Sequence, residues 1–189
     1  MRRAVFLDRD GTIIEERGYL DRIDLLELYS FTADAIRLLN RAGYTTVVVT
    51  NQGGIGRGII DERFLQHVHA TLDTRLAAGN ARIDRYYYCP HHPDAVVPEL
   101  RRKCDCRKPA SGMIEQACRE LSLDPRQSVM IGDRRLDVVA GSAAGARTVL
   151  VRTGHGAHEE AMPQGNARPD AILNNLMEAV GWILRTSSR

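Results

Sequence analysis

The sequence predicts an α/β fold in three layers, a parallel sheet with helices packed on both faces. Three observations carry this. Short apolar runs alternate with amphipathic helical stretches along the chain. The first run, Ala4-Val5-Phe6-Leu7, is continuously apolar, as a strand buried on both faces must be. Polar residues suited to ligand binding fall at or soon after strand ends, where open α/β sheets bind their ligands.

Taken in order, residues 4–7 form the first strand. Residues 12–30 read as irregular and polar, with a turn at Gly18-Tyr19. Residues 32–42 read as a helix capped by Thr32, with Ala35, Ile36, Leu38, Leu39 and Ala42 on its apolar face and Gly43 ending it. Residues 45–49 are β-branched throughout and predict a second buried strand. An amphipathic helix follows over 61–76, with Phe64, Leu65, Val68 and Leu72 inward. Residues 85–88 read as a strand, and 89–109, rich in Cys, His and Pro, as a structured loop. A helix over 111–122 carries Met113, Ile114, Ala117, Cys118 and Leu121. Strands at 128–131 and 148–151 flank a helix over 137–144. Residues 153–169 read as loop, and 171–184 as a short strand or turn and a final helix, before a frayed end.

With 189 residues, 43% hydrophobic and 26% charged, the chain suits one globular domain over 1–189. A net charge of +2 points away from nucleic-acid and membrane-surface partners. No stretch is long and apolar enough to span a bilayer, and Asp8 and Asp10 interrupt any N-terminal signal core. A cytoplasmic monomer is therefore expected.

Asp8-Arg9-Asp10-Gly11-Thr12 follows the first strand directly. If extended geometry persists, Asp8 and Asp10 share a side. One carboxylate can then attack phosphorus while the other moves a proton. Thr50, after the second apolar run, and Lys108 supply a hydroxyl and an ammonium for the non-bridging phosphate oxygens. Asp133 supplies a third carboxylate for a magnesium site of hard oxygen ligands. Asp137, four residues on, stacks on the same helical face in support. Singly, each has a plain structural explanation: an Asp that caps a helix, a last strand residue, a solvated cation. Their order and common location favour the joint reading.

Cys89-Pro90-His91 and Cys104-Asp105-Cys106 are two pairs joined by twelve residues. Three thiolates and an imidazole suit tetrahedral Zn²⁺, with no position left open for catalysis. His92 competes with His91, which the symmetric spacing favours. A disulfide is the alternative, and Cys118 reads as core. Tethering the loop 89–106 would fix Arg107 and Lys108 near the phosphate.

In this order, Asp8-Arg9-Asp10-Gly11-Thr12, Thr50, Lys108, and Gly132-Asp133 with Asp137 resemble the four motifs of the haloacid dehalogenase-like phosphotransferase superfamily. The resemblance covers most of the chain and implies a Rossmann-like sheet. It implies Asp8 as the nucleophile that becomes an aspartyl-phosphate, and Asp10 as general acid and then general base. The implied Mg²⁺ ligands are Asp8, the backbone carbonyl of Asp10, and Asp133. An Asp at position 10 implies phosphatase or mutase chemistry rather than ion pumping or dehalogenation.

Within the superfamily, 89–93 through 104–109, Arg17-Gly18-Tyr19, the stretch 50–58 and Leu150-Val151-Arg152-Thr153-Gly154 resemble the family that removes the 7-phosphate of D-glycero-D-manno-heptose 1,7-bisphosphate. That implies Mg²⁺ and Zn²⁺ as cofactors, no large cap domain, and a small phosphosugar substrate on the way to nucleotide-activated heptose. The implied substrate contacts are Arg17, Gly18, Tyr19, Asn51, Gln52, Gly53, Arg107 and Arg134. Arg134 stands where Lys is common and Arg17 where His is often found, so both bear on specificity. Histidinol-phosphate phosphatases share the metal loop and stand as an alternative, as does a catalytically silent phosphosugar-binding zinc protein. A nicotinamide-binding domain does not fit, because Gly54, Gly56 and Gly58 give no G-x-G-x-x-G register.

Overall fold

The computed structural model describes residues 1–162 and 168–186. Of the predicted frayed end at 186–189, Thr186 is the last residue of the final helix, and 187–189, like 163–167 of the predicted loop, lie outside the described residues. Six strands form one sheet: β1 (Ala4–Leu7), β2 (Thr45–Asn51), β3 (Arg85–Cys89), β4 (Val129–Gly132), β5 (Arg147–Val151) and β6 (Ala171–Leu173). Their order is β3-β2-β1-β4-β5-β6, and every pairing is parallel. The order reverses between β1 and β4, which opens a crevice at their carboxyl ends.

Alternation along the strands divides the core between two faces. Val5, Leu7 and Val48 pack with Ile36 and Leu39 of α1 (Thr32–Arg41), Val68 and Leu72 of α3 (Glu62–Ala78), and Val180 and Ile183 of α7 (Leu176–Thr186). Ala4, Phe6, Val47 and Val49 pack on the other face with Met113, Ile114 and Ala117 of α4 (Gly112–Leu121) and Ala140 of α5 (Arg135–Ala143). These are the three predicted layers. Among the described residues no helix is long and apolar enough to cross a membrane.

Several details depart from the sequence reading. Thr32 does not cap α1. Phe31 takes the N-cap position, and the Thr32 hydroxyl, one residue inside, donates to the Ile13 carbonyl at 2.8 Å. Leu38, expected on the apolar face, is 37% exposed. Asp61 does cap α3, accepting from the Phe64 amide at 2.7 Å. Two glycine-containing stretches form short helices: α2 (Gly53–Gly56), to which the sequence pattern assigns no element, and α6 (Gly156–Ala161), within the stretch read as loop. Glycine's poor helix propensity hid both. The stretch after 170 resolves into the strand β6 and α7.

Candidate active site

β1 ends at Leu7. The Asp8 amide still reaches across to the Ile131 carbonyl at 2.9 Å, but the chain then turns at Gly11, whose φ is +77°. The extended geometry expected through Asp10 therefore does not persist. Asp8 and Asp10 nonetheless line one pocket, together with Thr50, Gln52 and Lys108.

Lys108 is the charge centre of this pocket. Its Nζ lies 2.8 Å from Asp8 Oδ1 and 2.6 Å from Asp137 Oδ1, and donates to the Val49 carbonyl at 2.8 Å. Burial opposes its charge, but Asp137 and Asp8 outweigh that and push it up to about 12. Asn51 clamps the same residue's backbone: its Nδ2 donates to the Lys108 carbonyl, and the Lys108 amide donates to its Oδ1, each at 3.0 Å. Asn51 also lines the pocket, with both polar atoms of its side-chain amide engaged with the lysine backbone. Asp137 Oδ2 accepts from the Arg134 amide at 3.0 Å, which anchors the start of α5.

The carboxylates outnumber the lysine. Ligand atoms of Asp8, Asp133 and Asp137 lie within 4.8 Å of one another. Asp133 is fully buried, and its Oδ1 has no partner among the described residues. Burial, then the charge of Asp8, pushes the Asp133 carboxyl up to about 8, against the His155 amide that donates to Oδ2 at 2.7 Å. An orphaned buried oxygen in an all-oxygen, electronegative nest fits a hard divalent cation such as Mg²⁺. The backbone makes room for it. A methyl group at Gly11 or at Gly154 would lie 2.2 Å from Asp133 Oδ2.

Asp10 is held by other groups. Arg9 forks onto it, with the terminal nitrogen 2.9 Å from Oδ1 and Nε 3.1 Å from Oδ2. Gln52 Nε2 donates to Oδ2 at 3.0 Å and to Thr50 Oγ1 at 2.8 Å.

Beside this pocket, Cys89, His91, Cys104 and Cys106 form a second cluster. Their Sγ atoms lie 3.6, 3.2 and 3.3 Å apart, with His91 Nδ1 3.5 and 3.3 Å from Cys89 and Cys106. A tetrahedron with Zn–S bonds of about 2.3 Å has S–S edges of about 3.8 Å, so the donor set fits zinc after a slight expansion. All four cysteines are free, which sets aside the disulfide alternative. His92 is not in the cluster. Its Nδ1 accepts from the Asp94 amide at 3.0 Å and its ring lines the pocket.

Comparisons with known proteins agree with this geometry. A family model described as HAD-hydrolase-like matches residues 105–179. The D-glycero-β-D-manno-heptose-1,7-bisphosphate 7-phosphatase of Haemophilus ducreyi is 41% identical over 184 residues, covering 96% of this chain and 98% of that one. The chain belongs to the heptose-1,7-bisphosphate 7-phosphatase family of haloacid dehalogenase-like hydrolases. The family member of the same name from Escherichia coli K12 is 43% identical over 176 residues, covering 93% of this chain and 90% of that one. A crystal structure of the D,D-heptose 1,7-bisphosphate phosphatase of B. bronchiseptica, complexed with magnesium and phosphate, superposes with a TM-score of 0.87 at 29% identity. It covers 97% of this chain and 99% of that one.

Residues from several separate segments line the rest of this family member's pocket. Gly18 and Tyr19 line it, with Tyr19 43% exposed and the Arg57 guanidinium 5.8 Å from its ring. Gly53 starts α2 so close to the metal loop that a methyl group there would lie 2.9 Å from His92 Cδ2. Arg107 lines the pocket and donates to the His91 carbonyl at 2.9 Å. Arg134 also lines the pocket, 3.6 Å from Glu159. Arg17 lies between Glu16 and Gly18, which line the pocket. It is not among the residues lining the pocket but pairs with Glu15 at 2.6 Å and Glu27 at 2.7 Å. The sequence reading missed Glu16, His92 and His155 in the lining. Their positions beside Gly18, His91 and Gly154 were the available signal.

Proposed function

We propose that this protein is a Mg²⁺-dependent, zinc-stabilised phosphatase that removes the 7-phosphate of D-glycero-β-D-manno-heptose 1,7-bisphosphate. The supporting observation is one pocket holding Asp8, Asp10 and Lys108 in a chain matched along nearly its whole length by relatives named for that reaction. The β anomer is taken from those names.

Asp8 attacks the 7-phosphorus in line. Its oxygen forms the new P–O bond as the bond to the sugar oxygen breaks, and that electron pair goes to the sugar. Asp10 gives its proton to the departing oxygen, so an alcohol leaves rather than an alkoxide. Ionised Asp10 then takes a proton from water, whose oxygen attacks phosphorus and releases inorganic phosphate from Asp8. Thr50 and Lys108 hold the non-bridging oxygens and balance their charge. Mg²⁺, bound by Asp8, the Asp10 backbone carbonyl and Asp133, would screen the phosphate from the Asp8 carboxylate. Asp137 holds Lys108 in place. Zn²⁺ on Cys89, His91, Cys104 and Cys106 would stabilise the loop that presents Arg107. Gly18, Tyr19, Gln52, Gly53, Arg107 and Arg134 surround the sugar. The enzyme acts as a cytoplasmic monomer in the making of nucleotide-activated heptose.

A phosphate-release panel tests this reading with both anomers of the heptose bisphosphate and histidinol phosphate. The highest kcat/KM is expected for the β-bisphosphate. A preference for histidinol phosphate would replace the substrate and keep the mechanism; no release from any ester would end the phosphatase reading.

A further inference from the structure

Arg9, between the two motif aspartates, is 2% exposed. Its carbonyl accepts the amides of Thr12, Ile13 and Ile14 at 3.4, 2.9 and 3.1 Å, which closes the turn carrying Asp10. Its side chain folds back onto Asp10 in a two-pronged fork and donates to Gln52 Oε1 at 3.1 Å. Gln52 completes the ring by donating to Asp10 Oδ2 at 3.0 Å. Beyond the strand end, Asp10 keeps one bridge to Ile14, so the sheet fixes its backbone only loosely.

Stability alone explains this arrangement poorly. A buried guanidinium is costly, and the remaining terminal nitrogen of Arg9 is buried with no partner among the described residues. The His69 ring packs nearby, stacked on Tyr86 at 4.2 Å, and its buried Nε2 also lacks a partner. Asp10 is the one acid that pairs with Arg9 among the described residues.

We infer that Arg9 is the positioning residue of Asp10: its fork, braced by Gln52, sets the plane and direction of the carboxylate that moves protons to and from the sugar oxygen and water. The inference rests on the phosphatase reading and on Asp10 as the proton-transfer group. Lysine keeps the charge at this position but cannot make the fork.

The test uses the leaving group. A sugar oxygen needs a proton to depart, whereas an activated ester (p-nitrophenyl phosphate or acetyl phosphate, whichever the wild type turns over) expels a stable anion unaided. Because kcat/KM covers only the steps through phosphorylation of Asp8, the ratio of the two esters isolates proton donation. In Arg9→Lys the kcat/KM for heptose bisphosphate is expected to fall on the order of tenfold to a hundredfold more than that for the activated ester, within the range attributed to general acid catalysis. The ratio is read within one preparation, so unfolded protein cancels, and Arg9→Met gives an independent second variant. Equal losses on both esters would reduce Arg9 to a structural residue and overturn the inference. A wild type inert toward every ester would overturn the phosphatase reading, and this inference with it.

Discussion

Asn51 grips Lys108 across 57 residues of sequence, with two 3.0 Å hydrogen bonds between its side-chain amide and the lysine backbone. The last residue of β2 therefore holds the metal loop's exit against the sheet. Lys108 owes its place to strand geometry as much as to the loop that precedes it.

Asn51→Ala is expected to leave a buried amide and carbonyl of Lys108 unmet. Each unmet group costs about 1–3 kcal/mol, so a lower melting temperature should accompany slower turnover. A shift of about 1 Å in the ammonium lowers kcat about a hundredfold. Wild-type kcat in a folded Asn51→Ala protein would show that Asp8, Asp137 and the Val49 carbonyl hold the lysine unaided.

Zinc removal is expected to separate Arg107 from Lys108. The sequence reading gave the tether both residues. Lys108 has anchors on Asn51, Val49, Asp8 and Asp137, none of them in the loop 89–106. Arg107 instead donates to the carbonyl of His91, a candidate zinc ligand. Chelation under saturating Mg²⁺ should therefore raise KM, on the order of tenfold or more for a charged hydrogen bond, and lower kcat less. A fall confined to kcat would reverse this order of dependence.

The contrast between those two residues marks where the sequence was legible. Continuous apolar runs and β-branched strands gave the three layers, because burial on both faces leaves a strong pattern. Asp8, Lys108 and Asp133 were legible because carboxylates and a lysine near strand ends form a small chemical vocabulary. The same holds for Cys89, His91, Cys104 and Cys106. What pattern could not give was direction. Arg17 turns to Glu15 and Glu27, and Asn51 turns to a backbone far along the chain. Asp8 and Asp10, paired in the sequence through strand alternation, do line one pocket, although the ladder ends at Leu7 and the chain turns at Gly11. Side-chain choices among competing partners are tertiary facts, and spacing carries no trace of them.

Lys108→Met should remove the only ammonium among three buried carboxylates. Breaking a buried pair in this way costs about 3–5 kcal/mol. Activity should be lost, and Mg²⁺ should raise the melting temperature of the variant more than that of the wild type, since the cation then supplies all the compensating charge. Equal stabilisation by Mg²⁺ in both proteins would mean that the lysine does not share its charge with the metal nest.

Asp8→Asn is expected to fold and to release no phosphate, because an amide is a far weaker nucleophile. Acid quenching of wild type during turnover with ³²P-labelled substrate should trap label on Asp8, and the variant should trap none. Turnover by a folded Asp8→Asn protein would exclude the covalent route.

The last expectation concerns Gly154 and the metal nest. Its φ is +55°, and a methyl group there would lie 2.2 Å from Asp133 Oδ2 and 2.6 Å from the Gly11 Cα. Gly11 is backbone in a tight turn and cannot yield, so Asp133 must move. Gly154→Ala is expected to raise the Mg²⁺ concentration for half-maximal activity about tenfold or more, with activity partly recovered at high Mg²⁺. Left-handed strain alone, about 1–2 kcal/mol, would not do this. Gly145 supplies the control: its φ is +85°, yet a methyl group there would meet nothing within 4 Å. Gly145→Ala should lose stability and keep the wild-type Mg²⁺ dependence. If both variants shift that dependence alike, backbone strain and not the crowding of Asp133 governs the site.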